Sequence, residues 1–111
     1  MRLIDLDPHW IGLLNAADGV KFYVGVSFLC PHCPADAPLH GPVRRRRLAV
    51  SFWPPIDPDN WLPRMAGEPK PPHPHKRLRG ETFETLTLHP SVGFDSIGHW
   101  HGTIVDGVCT P

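Results

Sequence analysis

Residues 20–30 read VKFYVGVSFLC, and this stretch decides the fold. Its larger apolar side chains recur at every second position. The residues that share this side are Val20, Phe22, Val24, Val26, Phe28 and Cys30. A period of two is typical of a β-strand that buries one face, so residues 20–30 predict such a strand.

The same alternation returns in residues 44–53, RRRRLAVSFW, where Leu48, Val50 and Phe52 share one side. Residues 34–42, PADAPLHGP, lie between the two stretches and carry prolines and a glycine that exclude a helix. We therefore expect two strands that are joined by a loop, pair with each other and bury one face each.

The C-terminal part of the chain predicts further β structure. Residues 81–92, ETFETLTLHPSV, are typical of a strand, which we expect to end at Pro90. In residues 99–111, HWHGTIVDGVCTP, the pair Asp106-Gly107 stands between two valines. This pair is a strong signal for a tight hairpin turn.

Residues 54–80 form a long Pro-rich segment, because eight of the 15 prolines fall between Pro54 and Pro74 and no strand or helix period survives. Its length predicts a functional loop or an insertion, which Trp61 would pin to the body of the protein. Residues 7–14 fit a short helix and an extended strand equally well. The sequence thus predicts a single domain over residues 1–111, mostly β, with a small antiparallel sheet and a C-terminal β-hairpin.

The sequence contains 11 Lys and Arg residues and 11 Asp and Glu residues, so its formal net charge is zero. Overall charge therefore gives no reason to expect nucleic acid or an anionic membrane as a partner. No apolar run approaches the roughly 18 residues of a membrane span, and the N-terminal stretch MRLIDLDP is unlike a signal peptide. We expect a cytoplasmic protein, in which three cysteines favour metal or thiol chemistry over a disulfide framework.

The motif Cys-Pro-His-Cys, formed by Cys30 and Cys33 after the first strand, resembles the active site of thiol oxidases of the thioredoxin superfamily. In those proteins the first cysteine begins a helix, whose partial positive charge lowers the pKa of the thiol. Here Pro34, Pro38 and Pro42 would interrupt such a helix. The sequence therefore favours metal binding over thiol redox chemistry.

A metal site needs two more ligands, and His99 and His101 supply them, because i and i+2 side chains of a strand point to the same side. With Cys30 and Cys33 they form a Cys₂His₂ set, which suits tetrahedral Zn²⁺. Such a zinc clip would tie the first strands to the C-terminal hairpin. The alternative for the two histidines is a pair of surface residues on a strand.

Cys109 is not expected to be a ligand. If Asp106-Gly107 is a two-residue turn, Cys109 faces Ile104 across the hairpin, and cross-strand partners share a side. Ile104 shares its side with Trp100 and not with the histidines. Cys109 should therefore be a small, half-buried thiol that points away from the metal.

Residues 80–108, GETFETLTLHPSVGFDSIGHWHGTIVDGV, together with FLCPHC at 28–33, resemble a family of small domains of unknown function. These domains occur mainly in phages and prophages, and some carry the misleading label of ammonia monooxygenase. Some relatives are expected beside bacterial ubiquitin-like conjugation genes, which hints at protein partners. Relatives trade Cys for His around the cysteines and the first histidine. The resemblance thus implies a metal role for Cys30, Cys33, His99 and His101, but it brings no established activity.

Residues and resemblance together predict a structural zinc module without catalysis, which binds another protein through its Pro-rich loop or an exposed strand edge. A first alternative is a nucleic-acid-binding zinc module that uses the basic run of Arg44, Arg45, Arg46 and Arg47. A second alternative is a zinc hydrolase, which would need an open coordination position for water and a nearby base. The acids nearest in sequence belong to no recognisable metalloenzyme motif.

Overall fold

The computed structural model describes residues 1–14, 19–31, 46–63, 70, 74–94 and 99–111. Within these ranges the chain forms one short 3₁₀ helix and eight β-strands, and none of the described residues is in an α-helix. The helix is Leu3–Leu6, and the strands are β1 (His9–Leu14), β2 (Lys21–Leu29), β3 (Arg47–Ile56), β4 (Lys76–Arg79), β5 (Thr87–His89), β6 (Val92–Gly93), β7 (His101–Val105) and β8 (Val108–Thr110). The prediction of a mostly β fold built from small antiparallel sheets is confirmed.

The strands form three small sheets, in the orders β1-β2-β3, β4-β5 and β6-β7-β8, and all neighbours within them are antiparallel. Backbone hydrogen bonds connect the first two sheets: the Trp53 N–H donates to the His75 carbonyl (2.8 Å), and the His75 N–H donates to the Ser51 carbonyl (3.1 Å). The N-terminus joins the third sheet, because the Leu3 N–H donates to the Gly107 carbonyl at 2.7 Å.

The predicted pair of central strands is confirmed. In β2 and β3, Phe28 lies opposite Leu48 and Val26 lies opposite Val50, and all four side chains are buried. The shared face forms because antiparallel partners project to the same side, so two alternating patterns bury one common surface. These residues belong to a core that draws on all three sheets, with Trp100 and Ile104 from the C-terminal part.

The predicted hairpin turn is also confirmed, since Val105 pairs with Val108 and Ile104 pairs with Cys109. Asp106 and Gly107 both have positive φ, 46° and 71°. Two left-handed residues in succession give a turn whose twist matches the flanking strands, and Asp-Gly adopts it readily.

Residues 9–14 are extended, so of the two readings of the N-terminal segment the strand is correct. The strand predicted from residue 81 is wrong at its start, because β5 begins only at Thr87. Before it, the Thr85 N–H donates to the Thr82 carbonyl (3.2 Å) and the two hydroxyls lie 2.9 Å apart. Local bonds of this kind compete with strand pairing, and they close a turn here.

The irregular Pro-rich segment is shorter than residues 54–80, since β3 extends to Ile56 and β4 begins at Lys76. Pro54 and Pro55 fit inside β3 because it bulges away from β2 between Ser51 and Ile56, so their missing N–H groups cost no bond of the β2–β3 ladder.

Trp61 does pin this segment to the body. Its ring centroid lies 5.2 Å from that of Trp10 and 5.7 Å from that of Tyr23. Trp10 also stacks on Phe83 at 4.6 Å, so four aromatic side chains from separate parts of the chain form one cluster. This contact fixes the described part of the Pro-rich segment against β1 and β2.

Candidate metal centre

The end of β2 lies beside the His-Trp-His segment because Phe28 packs on Trp100. The two rings meet edge to face, with centroids 6.0 Å apart. Phe28 is two residues before Cys30, and both side chains are buried in the same core cluster. The Cys30 N–H donates to the Arg46 carbonyl at 2.7 Å, which holds the strand end in place.

The strand expected over residues 99–101 begins only at His101, so His99 and Trp100 precede β7. Trp100 is buried, whereas His99 is half-buried and His101 is exposed. Backbone bonds fix this segment: the His99 N–H donates to the Phe94 carbonyl (3.0 Å), and the Phe94 N–H donates to the Trp100 carbonyl (2.9 Å). His99 and Trp100 thus lie in a hydrogen-bonded segment directly before β7, and His101 is the first residue of the strand.

A cleft with a volume of about 420 Å³ lies at this end of the molecule. Its lining consists of Met1, Pro31, His99, Trp100, His101, Cys109 and Pro111. Pro31 directly follows Cys30 in the chain. The structure thus brings the segment of the first predicted ligand to the same cleft as both predicted histidines.

The structure brings the segments around the predicted ligands to one cleft, but it does not bring the ligand side chains together. Cys30 is fully buried, and among the described residues no three His, Cys, Asp or Glu side chains form a group that could hold a metal ion. Cys33 lies outside the described residues. The donor chemistry of thiolate and imidazole fits zinc, and Pro31, the neighbour of Cys30, lines the same cleft as His99 and His101.

Cys109 faces Ile104 as predicted, but it is only 3 % exposed and so more deeply buried than the half-buried thiol expected from the sequence. Burial raises the pKa of the Cys109 thiol to about 11, against a smaller opposite effect of the N-terminal ammonium group. That ammonium donates a hydrogen bond to the Cys109 carbonyl at 3.0 Å. A thiol that ionises so reluctantly is a poor nucleophile at neutral pH.

Met1 is a cleft residue that the sequence did not indicate. It reaches the cleft because the N-terminus pairs with β8, where the Cys109 N–H donates to the Met1 carbonyl at 2.8 Å. No local sequence pattern predicts this pairing, because it joins residues that are far apart in the sequence.

The basic run is only partly described, because Arg44 and Arg45 lie outside the described residues. Arg46 and Arg47 are exposed. The Arg47 guanidinium donates to the Asp7 carbonyl (3.0 Å), to the Asp7 carboxylate and to the Ser27 hydroxyl (3.2 Å). These bonds tie the start of β3 to the turn before β1, so Arg47 has a structural role whatever else it binds.

The fold and the cleft define a small, mostly β domain with imidazole groups at one end. No family model, no curated protein and no solved structure matches the chain. No helix in the described part of the chain is long and apolar enough to cross a membrane.

Proposed function

We propose that this chain is a zinc-stabilised β module of the cytoplasm, which binds another protein and catalyses no reaction. The proposed ligands are Cys30, Cys33, His99 and His101. If the chain is phage-encoded, as its resemblance implies, the compartment is the host cytoplasm.

One observation carries the zinc proposal: the cleft joins Pro31, the neighbour of Cys30, to His99 and His101. Four protein ligands of this kind close the coordination sphere of zinc, which stabilises a fold but leaves no position for a reacting water. A chain of 111 residues has a limited core, so a metal that ties β2 to β7 would add stability that the core lacks.

Metal analysis of the purified chain tests this proposal. We expect about one zinc per chain, and Cys30→Ala or His101→Ala should lose the metal and much of the stability. Cys109→Ser is the matched control, because it removes a thiol at the same cleft that is not a proposed ligand, and it should retain zinc. Folded wild-type protein without metal would overturn the zinc proposal.

The proposed binding surface for a protein is the turn of residues 57–62, which is held rigidly. The Trp61 N–H donates to the Asp57 carbonyl (2.7 Å), and the Asp57 N–H donates to the Leu62 carbonyl (2.9 Å). The Leu62 N–H donates to the Asn60 side-chain oxygen at 2.9 Å. This bonded turn presents Leu62 with 62 % of its surface exposed.

Arg77 fastens the same turn to β4. Its guanidinium donates to the Trp61 carbonyl (2.9 Å) and to the Gly80 carbonyl (3.0 Å), and it lies 5.8 Å from the centre of the Trp61 ring. Leu78, on the same strand as Arg77, is also largely exposed. Apolar side chains on a preorganised turn lose little entropy on binding, which favours a role in protein recognition.

An affinity capture with quantitative mass spectrometry tests the binding role. A true partner should be captured by the wild type and lost with Leu62→Asp. It should be retained with Val105→Asp, a matched change of an exposed apolar residue on the hairpin. If no protein shows this difference between the two variants, the turn is not a protein-binding surface.

A further inference from the structure

The outer edge of β3 is open between Arg47 and Ser51. Its inner edge pairs with β2, and successive residues of a strand direct their N–H and C=O groups to opposite edges. The Ser51 carbonyl accepts a hydrogen bond from the His75 N–H on the outer side, at 3.1 Å, so Ser51 and Ala49 both direct their backbone groups outward. In the part of the chain that the structure describes, no backbone group bonds to Ala49 or to the Ser51 N–H on this side.

His75, the residue before β4, shows how this edge binds a strand. Its N–H donates to the Ser51 carbonyl, and its carbonyl accepts from the Trp53 N–H at 2.8 Å. This is the hydrogen-bond pattern of parallel strands, and it places His75 opposite Phe52. A residue placed one step further back along the same path would bond the Ala49 carbonyl and the Ser51 N–H in the same way.

A cleft of about 360 Å³ lies beside this open stretch, between β3 and β6. Val50 forms its wall on the β3 side, and Pro90, Val92, Gly93 and Phe94 form its wall on the β6 side. Of the described residues that line it, none is Lys, Arg, Asp or Glu. The cleft therefore suits an uncharged, apolar side chain.

The side chain of His75 already reaches into this cleft. Opposed residues of neighbouring strands share a side, and Phe52 is buried, so His75 points to the core side of β3. Its Nε2–H donates to the Ser91 carbonyl at 3.1 Å, just before β6. Val50 is buried on the same side as Phe52. A strand residue opposite Val50 would thus direct its side chain into the cleft beside that of His75.

We propose that the open edge of β3 binds an extended peptide segment of a partner protein, which runs parallel to β3 in line with β4. One peptide residue donates its N–H to the Ala49 carbonyl and accepts from the Ser51 N–H. The residue two positions before it accepts from the Ala49 N–H. The side chain of the first residue lies in the cleft opposite Val50, and it is aliphatic because the cleft offers no opposite charge.

The chemistry of this edge selects its occupant. Outward N–H and C=O groups at the spacing of a strand are satisfied by the backbone of an extended peptide, and alternate side chains then give specificity. Ala49 and Ser51 are small, and neither lysine nor proline stands between them to block pairing. Arg47, the nearest charge, is held back by its bonds to Asp7. The site uses no residue of the turn 57–62 and none of the proposed zinc ligands, so it rests on neither.

Titration of the ¹⁵N-labelled full chain with a capped pentapeptide, Thr-Leu-Thr-Leu-Thr, tests the site by nuclear magnetic resonance. The amide signals of Ala49, Ser51 and Gly93 should shift most. N-methylation of both leucine amides should weaken binding at least about tenfold, because these N–H groups bond β3 in the proposed register. N-methylation of the last two threonine amides is the matched control, since these N–H groups point away from β3 and their loss should change the affinity little.

Ala49→Pro removes the outward N–H of residue 49, which is not part of the ladder with β2, and its ring blocks the edge. This variant should bind the pentapeptide at least about tenfold more weakly than the wild type. Ala49→Val is the matched control, because it keeps the N–H and should bind as the wild type does. The amide spectra of both variants check that they fold, and the methylated peptides test the same bonds on the wild type if the proline variant does not.

Shifts that are absent or centred elsewhere overturn the proposal. A larger loss from threonine than from leucine methylation also overturns it, because the peptide would then run antiparallel to β3. Lysine in place of both leucines should weaken binding at least about tenfold, and equal binding would overturn the assignment of the cleft. Leu62→Asp should leave binding of the pentapeptide unchanged, so this site and the turn of residues 57–62 can fail separately.

Discussion

Phe28 and Trp100 meet edge to face, with their ring planes inclined at 80° and their centroids 6.0 Å apart. Phe28 belongs to β2, whereas Trp100 lies just before β7 in another sheet. Both side chains are buried in the common core. This one contact therefore sets how close the Cys30 end of β2 comes to the histidines on either side of Trp100.

Removal of the Trp100 ring should weaken the fold strongly. We expect Trp100→Ala to lower the free energy of unfolding by about 3–5 kcal/mol, the usual cost of deleting a buried aromatic side chain. Trp100→Phe keeps a ring against Phe28 and should cost less. Urea denaturation of the two variants measures the difference, with the exposed Val105→Ala as a control that should change little. A loss below about 1 kcal/mol for Trp100→Ala would show that the ring is not part of the core.

Gly107 combines a left-handed backbone with a crowded position. Its φ is +71°, and a Cβ there would lie 2.4 Å from the Phe83 carbonyl oxygen. Gly19 has nearly the same φ, +70°, but no atom of the described residues lies within 4 Å of its Cβ position. Gly19→Ala should thus cost only the backbone strain, about 1 kcal/mol, whereas Gly107→Ala should cost clearly more. Equal losses in thermal or chemical denaturation would mean that the Phe83 backbone yields to the added methyl group.

The sequence predicted those parts of the fold whose signals are local. Alternation in residues 20–30 and 44–53 marks β2 and β3, and Asp106-Gly107 marks the hairpin, because pleat and turn geometry depend on neighbouring residues only. Strand β4, KRLR, has a single apolar residue, so no pattern distinguished it from a loop. Its pairing is a tertiary effect, as is the aromatic cluster around Trp10.

For the candidate site, the sequence predicted the hairpin partner of Cys109, because that partner follows from the two-residue turn. The strand geometry used to place His99 and His101 on one side does not cover His99, since β7 begins only at His101. The position of Met1 at the cleft and the bonds of Arg47 to Asp7 depend on contacts between distant parts of the chain. No spacing rule encodes such contacts, because they arise when separate elements pack together.

Arg79 and Asp106 give the hairpin turn a dependence on pH. The Arg79 Nε donates to the Asp106 carboxylate at 2.9 Å, and this hydrogen bond lowers the pKa of Asp106 below its usual range. The unfolded chain therefore binds the proton more tightly than the folded chain. The stabilisation is fully present above the unfolded pKa of about 4 and is lost as the pH falls through the lower folded value.

Melting temperatures of the wild type and Asp106→Asn across this range should show the effect. Asn tolerates the left-handed backbone of residue 106, so the substitution removes the charge without straining the turn. The wild type should be the more stable protein at neutral pH, by a small margin because both side chains are exposed, and the margin should vanish in acid. In an Arg79→Ala background the difference in pH dependence between the two proteins should be much smaller, because only the weaker hydrogen bond with Thr87 then lowers the pKa of Asp106. A margin that persists at low pH would assign the effect to something other than this ion pair.

The thiol of Cys109 should be protected in the folded protein. Its pKa of about 11, raised by burial from an ordinary value of 9.0, reduces the thiolate fraction at pH 8 roughly 100-fold relative to an unfolded chain. Alkylation of Cys109 by iodoacetamide, followed at the level of the peptide by mass spectrometry, should therefore be at least that much slower in native than in urea-unfolded protein. Because the folded pKa is the higher one, this thiol contributes stability below pH 9, and the contribution is lost as the pH rises through 11. Cys109→Ser, which cannot ionise in this range, should show a shallower loss of stability between these two values than the wild type. Equal alkylation rates in native and unfolded protein would show that the C-terminal strand opens readily and leaves Cys109 accessible.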